Sequence, residues 1–270
     1  MRIDLHVHTA DWSDGKDNVD NVIRAAMKRG LDGIVITDHH RMLQKDEQQA
    51  LRRKFPGFAV FRGAEISIRK DHVNLIGGRG DPIEAPRPHD EGFLREYTAR
   101  TGAFSVLNHP YYAGNEIFVD LDRFCPEAMD IASMNTDTGH REEYLPVARD
   151  RRMRLVAASD AHRAREVGLF HVKLDNRVET DEELLRELRA GRLSIDTFDD
   201  MLEARRREVA REEALARQVI EAGGDRDAYR AQGGTFAFDR VLRHGSFMPP
   251  EEVVGWRGDR FRRSRAGRVS

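Results

Sequence analysis

The chain has one cysteine, Cys125, so it can close no disulfide within itself and build no thiolate metal site. It has no long apolar run, which excludes a transmembrane helix. No apolar stretch precedes the first strand, which begins near residue 2, so no secretory signal is expected and the chain reads as cytoplasmic. Charge of one sign is also missing. The formal net charge is −2 with 34% charged residues, a balance that draws the whole chain neither to nucleic acid nor to an acidic surface. No glycine-rich phosphate loop follows the first strand, and no internal repeat is visible. Histidine, by contrast, is plentiful, with 11 in 270 residues.

Short β-branched runs at residues 3–6, 33–37, 59–65, 72–76, 103–107, 128–133, 155–158 and 169–174 read as strands. Helical patterns lie between several of them. Over residues 18–29, Val19, Val22, Ile23, Ala26 and Met27 share one helical face, with Asp17 able to cap the start and Gly30 the end. Residues 181–190 repeat the pattern, with a Thr180/Glu183 capping box and Gly191 as the stop. Such alternation predicts an α/β fold with a mostly parallel sheet and helices outside. Seven or eight strands within about 195 residues suit a closed (β/α) barrel better than a doubly wound sheet. Either architecture puts a site at the carboxyl ends of the strands.

The composition shifts after residue 197. Residues 199–222 form a charged helical run with sparse apolar anchors, two glycine pairs follow, and six arginines against one acid fall between Trp256 and Ser270. The reading is therefore a barrel domain over 1–197 and a helical appendage over 198–270 that ends in a basic, solvated tail. The Gly/Pro-rich loop at 77–92 reads as irregular, with His89 on its surface.

The strand ends carry the chemistry. The first strand ends in His6 and His8, with Asp14 in the loop beyond. The second ends in Asp38, His39 and His40, the third in Glu65, and the next begins at His72. Later ends carry His109, then Asp160 and His162. Each motif alone has an ordinary explanation: a polar strand face, a turn with a helix cap, or a pre-proline turn. Recurrence at consecutive strand ends is not explained that way, and burying so many imidazoles without a cation is costly. Residues i and i+2 of a strand point to one side, so His6/His8 and Asp160/His162 are each a two-pronged donor set. Imidazole and carboxylate donors without thiolate suit Zn²⁺, Mn²⁺ or Fe²⁺. Nine donors (His6, His8, Asp14, His39, Glu65, His72, His109, Asp160 and His162) exceed the needs of one ion and fit two or three, with Glu65 able to bridge.

The motifs "DLHVHTADWSDG", "GIVITDHH", "GAEIS", "HVNLIG", "NHP" and "SDAH" occur in an order that resembles the PHP (polymerase and histidinol phosphatase) family of metal-dependent phosphoesterases, over residues 1 to about 195. The resemblance implies a distorted (β/α)₇ barrel with a C-terminal helical appendage and two or three metal ions at the strand carboxyl ends. It assigns His6, His8, Asp160 and the bridging Glu65 to one ion, His72 and His109 with Glu65 to a second, and Asp14, His39 and His162 to a third. Many members carry the fourth-strand histidine where Asn74 stands; His72, two residues earlier on the same strand face, can serve instead. Asp14 stands where some members have histidine.

The resemblance further implies hydrolysis of a phosphate ester by a metal-activated water. His40 and His140 are candidates to protonate the leaving oxygen. Arg41, Asn135 and Arg163 are candidates to hold the phosphate. The favoured substrate is a small phosphomonoester. The alternatives are a nuclease-type phosphodiesterase that uses the arginine-rich tail as a backbone contact, and a non-catalytic module that keeps metals for stability. No membrane association is expected, and the sequence leaves the oligomeric state open.

Overall fold

The computed structural model describes residues 1–79, 83, 88–112, 114, 116–136, 140–244 and 253–259. Most of the arginine-rich tail, and much of the 77–92 loop, lie outside the described residues.

Nine strands form one sheet: β1 (Arg2–Val7), β2 (Gly33–Ile36), β3 (Ala59–Ile68), β4 (Asp71–Ile76), β5 (Phe104–Asn108), β6 (Ala128–Asp130), β7 (Arg154–Val156), β8 (Phe170–Leu174) and β9 (Leu193–Thr197). Their spatial order is β7-β6-β5-β4-β3-β2-β1-β8-β9. The sheet curls into a nearly closed barrel. Past the end of β7 the chain runs beside the end of β1, where the His8 amide donates to the Ala161 carbonyl at 2.9 Å. Residues 255–258 fill the remaining gap. The Leu155 amide donates to the Gly258 carbonyl at 3.0 Å, and the Ile195 amide donates to the Trp256 carbonyl at 2.8 Å. The chain's last described segment thus lies between the edge strands β7 and β9.

The sheet is less parallel than the alternation suggested. Pairs β1–β2, β2–β3, β5–β6 and β6–β7 are parallel, whereas β3–β4, β4–β5, β1–β8 and β8–β9 are antiparallel. Only Arg69 and Lys70 separate β3 from β4, with Arg69 at φ 57°. So short a connection can only reverse the chain, because a parallel return needs a dozen residues or more. This reversal places His72, the second residue of β4, at the same end of the barrel as the carboxyl ends of its parallel neighbours. It stands opposite Ser67 on one side and Asn108 on the other.

The helices are α1 (Val19–Arg29), α2 (Lys45–Lys54), α3 (Glu91–Thr101), α4 (Arg141–Asp150), α5 (Asp181–Ala190), α6 (Asp199–Glu221), α7 (Arg226–Ala231) and α8 (Phe238–His244). In α1 the cap is Asn18, whose side chain accepts from the Asn21 amide; Asp17 instead accepts from the Ala164 amide at 2.9 Å. Gly30 ends α1 at φ 88°, a conformation that costs other residues a Cβ clash. The Thr180/Glu183 capping box opens α5 as the spacing predicted.

Val22, Ile23 and Ala26 of α1 and Leu51 of α2 pack with Ile34, Ile36 and Val60 of the sheet. A second cluster joins Leu5, Val35, Phe61, Phe104 and Val156, from five strands, with Leu184, Leu185 and Leu188 of α5. Met201 and Leu202 tie the start of α6 to the largest barrel cluster, while Val219, Tyr229, Phe238 and Val241 give α6–α8 a small core of their own.

Asp4 crosslinks the barrel from inside. Fully buried, its carboxylate accepts from the amides of Ser159 (2.9 Å) and Gly168 (2.8 Å), and so joins β1 to the segments after β7 and before β8. Asp4→Ala leaves both amides without that acceptor. It is expected to lower unfolding free energy by about 2–4 kcal/mol, measured by urea denaturation.

Candidate metal centre

The nine predicted donors converge at one end of the barrel. His6 and His8 are both 1% exposed and face the same side of β1. Their Nε2 atoms lie 3.0 Å apart, and each is 3.3 Å from Asp160 Oδ1. Glu65, also 1% exposed, sits among the imidazoles with its two oxygens facing different sets. Oε1 is 3.3 Å from His6 Nε2, 3.1 Å from His72 Nδ1 and 3.4 Å from His109 Nε2. Oε2 is 3.2 Å from His8 Nε2 and 3.3 Å from His39 Nδ1. Asp14, on the loop after β1, lies 3.3 Å from His162 Nε2, 3.7 Å from His8 Nδ1 and 3.8 Å from His39 Nε2. Three groups are compact enough to hold an ion: His6, His8 and Asp160; Glu65, His72 and His109; and His8, Asp14, His39 and His162. His8 belongs to two of them.

The donor set fits divalent metal. Ligands at about 2.1 Å from an ion stand about 3.0–3.4 Å from one another, and most of the separations around Glu65 and Asp160 fall in that range. His6 Nδ1, His8 Nδ1 and Asp160 Oδ1 are buried without a hydrogen-bond partner. The charges agree. Burial pushes the Asp160 carboxyl up, but His6, His8 and His109 outweigh it and hold it well down. Glu65 behaves in the same way under His6, His109 and His72. Burial disfavours the charged forms of His8 and His109, yet Asp160 and Glu65 still raise both. Two ionised carboxylates thus demand positive charge among packed imidazoles. A cation shared by their lone pairs satisfies that demand without imidazolium repulsion.

The backbone is strained at the same place. His40 (φ 55°), His109 (φ 25°), Tyr111 (φ 66°) and Asp160 (φ 56°) adopt left-handed conformations. Each costs about 1–3 kcal/mol and persists only where the surroundings impose it.

Neighbouring polar groups orient the donors. Asn108 Nδ2 donates to Glu65 Oε1 at 2.8 Å, and Asn135 Nδ2 donates to Asp160 Oδ2 at 2.7 Å. The other candidates each have contacts of their own. His40 Nε2 is 3.1 Å from Ser67 Oγ, and its ring stacks 5.3 Å from His89. His89 is not on the surface: it is 6% exposed, packed between His40 and Phe93. His140 precedes α4, with Nδ1 3.0 Å from Glu143 Oε1 and its ring 4.6 Å from Tyr111. The Arg41 guanidinium lies over Trp12 and 2.6 Å from Glu47. The Arg163 side chain is half exposed, 3.8 Å from Glu166.

Sequence reasoning passed over Asp130, at the end of β6. It is buried, and burial pushes its carboxyl up to about 6 despite nearby His109 and His6. A carboxylate closing a strand in this barrel was the available signal.

The curled sheet gathers histidine and carboxylate donors that could hold metal at one end, and comparisons with known proteins find relatives of related description. A family model described as PHP-associated matches residues 141–193. The DNA polymerase/3'-5' exonuclease PolX of Bacillus subtilis is 27% identical over 193 residues, 59% of this chain and 34% of that protein. An uncharacterized protein of Methanocaldococcus jannaschii, MJ1587, is 28% identical over 138 residues, 45% of this chain and 78% of that protein. The chain thus spans about a third of the length of PolX. In fold it is similar to a two-domain protein from Bacteroides vulgatus containing a predicted PHP-like metal-dependent phosphoesterase, with TM-score 0.56, 18% identity, and coverage of 73% of this chain and 64% of that one. The chain is thus similar, in one segment and in fold, to proteins described as PHP-associated or PHP-like. Among the described residues no helix is long and apolar enough to cross a membrane.

If the donors hold metal, stripping it must cost stability. A ligand at 100 times its dissociation constant contributes about 2.7 kcal/mol, which for a chain of this size is about 5–10 °C in melting temperature. Differential scanning calorimetry with and without chelator is expected to show a fall of that size, reversed by added Mn²⁺ or Zn²⁺.

Proposed function

We propose that the chain hydrolyses a small phosphomonoester at a centre of two or three divalent ions, Zn²⁺, Mn²⁺ or Fe²⁺. The observation that carries this reading is Glu65, whose two oxygens face different histidine sets. In the reading, His6, His8, Asp160 and a bridging Glu65 hold one ion, His72 and His109 with Glu65 a second, and Asp14, His39 and His162 a third. Bound divalent ions supply Lewis-acid polarisation of a phosphoryl group and activation of water at neutral pH.

The protein's own groups do the rest. Asn108 and Asn135 donate to Glu65 and Asp160, which keeps the carboxylate planes fixed. Of the two candidates for giving a proton to the leaving oxygen, His40 is adjacent to the donors, its ring 6.2 Å from that of His39. His140 stands behind the Tyr111 ring and beside Glu143. Arg163 directly follows the donor His162 in the chain and Arg41 comes two residues after the donor His39, and a guanidinium can pair with phosphate oxygens.

Charge balance at the rim favours a small substrate over a polynucleotide. Arg41 lies beside Glu47, and Arg163 beside Glu166. Counterion release, which drives nucleic-acid binding, needs unneutralised cations along a track. A phosphodiesterase reading is kept because PolX, named an exonuclease, shares 27% identity over 193 residues.

Two measurements test the proposal. Asp160→Ala and His109→Ala are each expected to lower kcat/KM for an aryl phosphate by about 10³-fold or more, the several kcal/mol that metal-ion catalysis supplies. Unchanged activity in either variant overturns the assignment. A panel of phosphomonoesters, cyclic nucleotides and short oligonucleotides with Mn²⁺ or Zn²⁺ is expected to favour monoesters. Salt-sensitive preference for oligonucleotides would establish the second reading instead.

A further inference from the structure

The loop between β6 and α4 is gripped from both sides. On the barrel side, the Met134 amide donates to the Ser159 carbonyl at 3.1 Å, while within the loop the Asn135 amide donates to Ser133 Oγ at 3.2 Å. On the other side two arginines of the C-terminal helices reach consecutive carbonyls. Arg205 of α6 donates through Nη2 to the Met134 carbonyl at 3.2 Å, and Arg240 of α8 donates through Nη2 to the Asn135 carbonyl at 3.1 Å. Both arginines are buried, at 7% and 5% exposure. Each also packs on an aromatic ring. Arg205 lies 4.4 Å from the Phe236 centroid and Arg240 5.4 Å from that of Tyr112, whose own ring is 5.1 Å from His109.

Helix docking alone does not call for this arrangement. An apolar side chain would cover the same loop without ordering a long arginine or desolvating its charge. A guanidinium bonded to a carbonyl fixes the orientation of a peptide plane. Here the planes fixed flank Asn135, whose side chain donates to Asp160 at 2.7 Å.

We infer that the C-terminal helices are a working part of the metal centre: Arg240 is a positioning residue that holds the Asn135 backbone so that the Asn135 amide orients Asp160, with Arg205 securing the adjacent carbonyl. Asn135, a candidate phosphate ligand on sequence grounds, thereby becomes the link between α8 and a metal-binding carboxylate. This inference rests on the metal-centre reading above.

The test is a double-mutant comparison read by Mn²⁺ affinity, measured by electron paramagnetic resonance of free Mn²⁺ on the full chain. Groups that orient metal ligands typically contribute 10–100-fold in affinity. Arg240→Gln and Asn135→Ala are each expected to weaken the tightest Mn²⁺ site about 10-fold. The double variant is expected to be no weaker than Asn135→Ala alone, because both act through one link. Arg240→Lys, which keeps the charge but not the planar stack, is expected to fall between wild type and Arg240→Gln. If circular dichroism shows Arg240→Gln unfolded, Arg240→Lys with and without Asn135→Ala carries the same comparison. Wild-type affinity in Arg240→Gln, or losses that multiply in the double variant, overturns the inference while leaving the metal centre intact. A wild-type chain that binds none of Mn²⁺, Zn²⁺ and Fe²⁺ overturns both.

Discussion

Everything at the open end of the barrel is organised around one buried carboxylate. Glu65 lies among His6, His8, His39, His72 and His109, all within 3.4 Å of one of its oxygens. Burial alone would protonate it; the imidazoles keep it ionised. An ionised group in such a place is stable only with positive charge shared around it. That requirement explains why four separate segments send histidines to one point, and why the backbone tolerates strain at His109 and Asp160 to bring them there.

The fold delivers these groups through strand direction. Parallel strands bring their carboxyl ends together, which suits His6, His8, Glu65 and His109. The β3–β4 reversal does the opposite for one strand, so a residue from the start of β4 joins groups from the ends of the others. A uniformly parallel barrel would have sent His72 to the far side. The donor set therefore depends on a two-residue turn at Arg69 and Lys70, well outside the chemistry.

Much of this was legible in the sequence because the signals were local. β-branched runs marked eight of the nine strands, and histidines at strand ends marked the centre. Strand β9, with its Leu193-Ser194-Ile195-Asp196-Thr197 alternation, gave a weaker signal and was passed over. Asp17 and Asn18 are equally good caps by composition, and only the tertiary bond from Ala164 to Asp17 decides between them. His89 lies in a Gly/Pro-rich stretch that reads as surface, but stacking against His40 and Phe93 buries it. The links from Arg205 and Arg240 to Met134 and Asn135 join residues far apart in the chain, and no periodicity or spacing records such a contact.

The seam formed by residues 255–258 has a consequence for the order of events in folding. These residues bond to β7 and β9 at once, through Leu155, Leu193 and Ile195. Both edge strands emerge from the ribosome well before the segment that joins them, with all of α6–α8 in between. Until then two rows of backbone groups have no permanent partner, and such open edges are where unfinished sheets pair with the wrong chain. Sealing the barrel is therefore a late, long-range step.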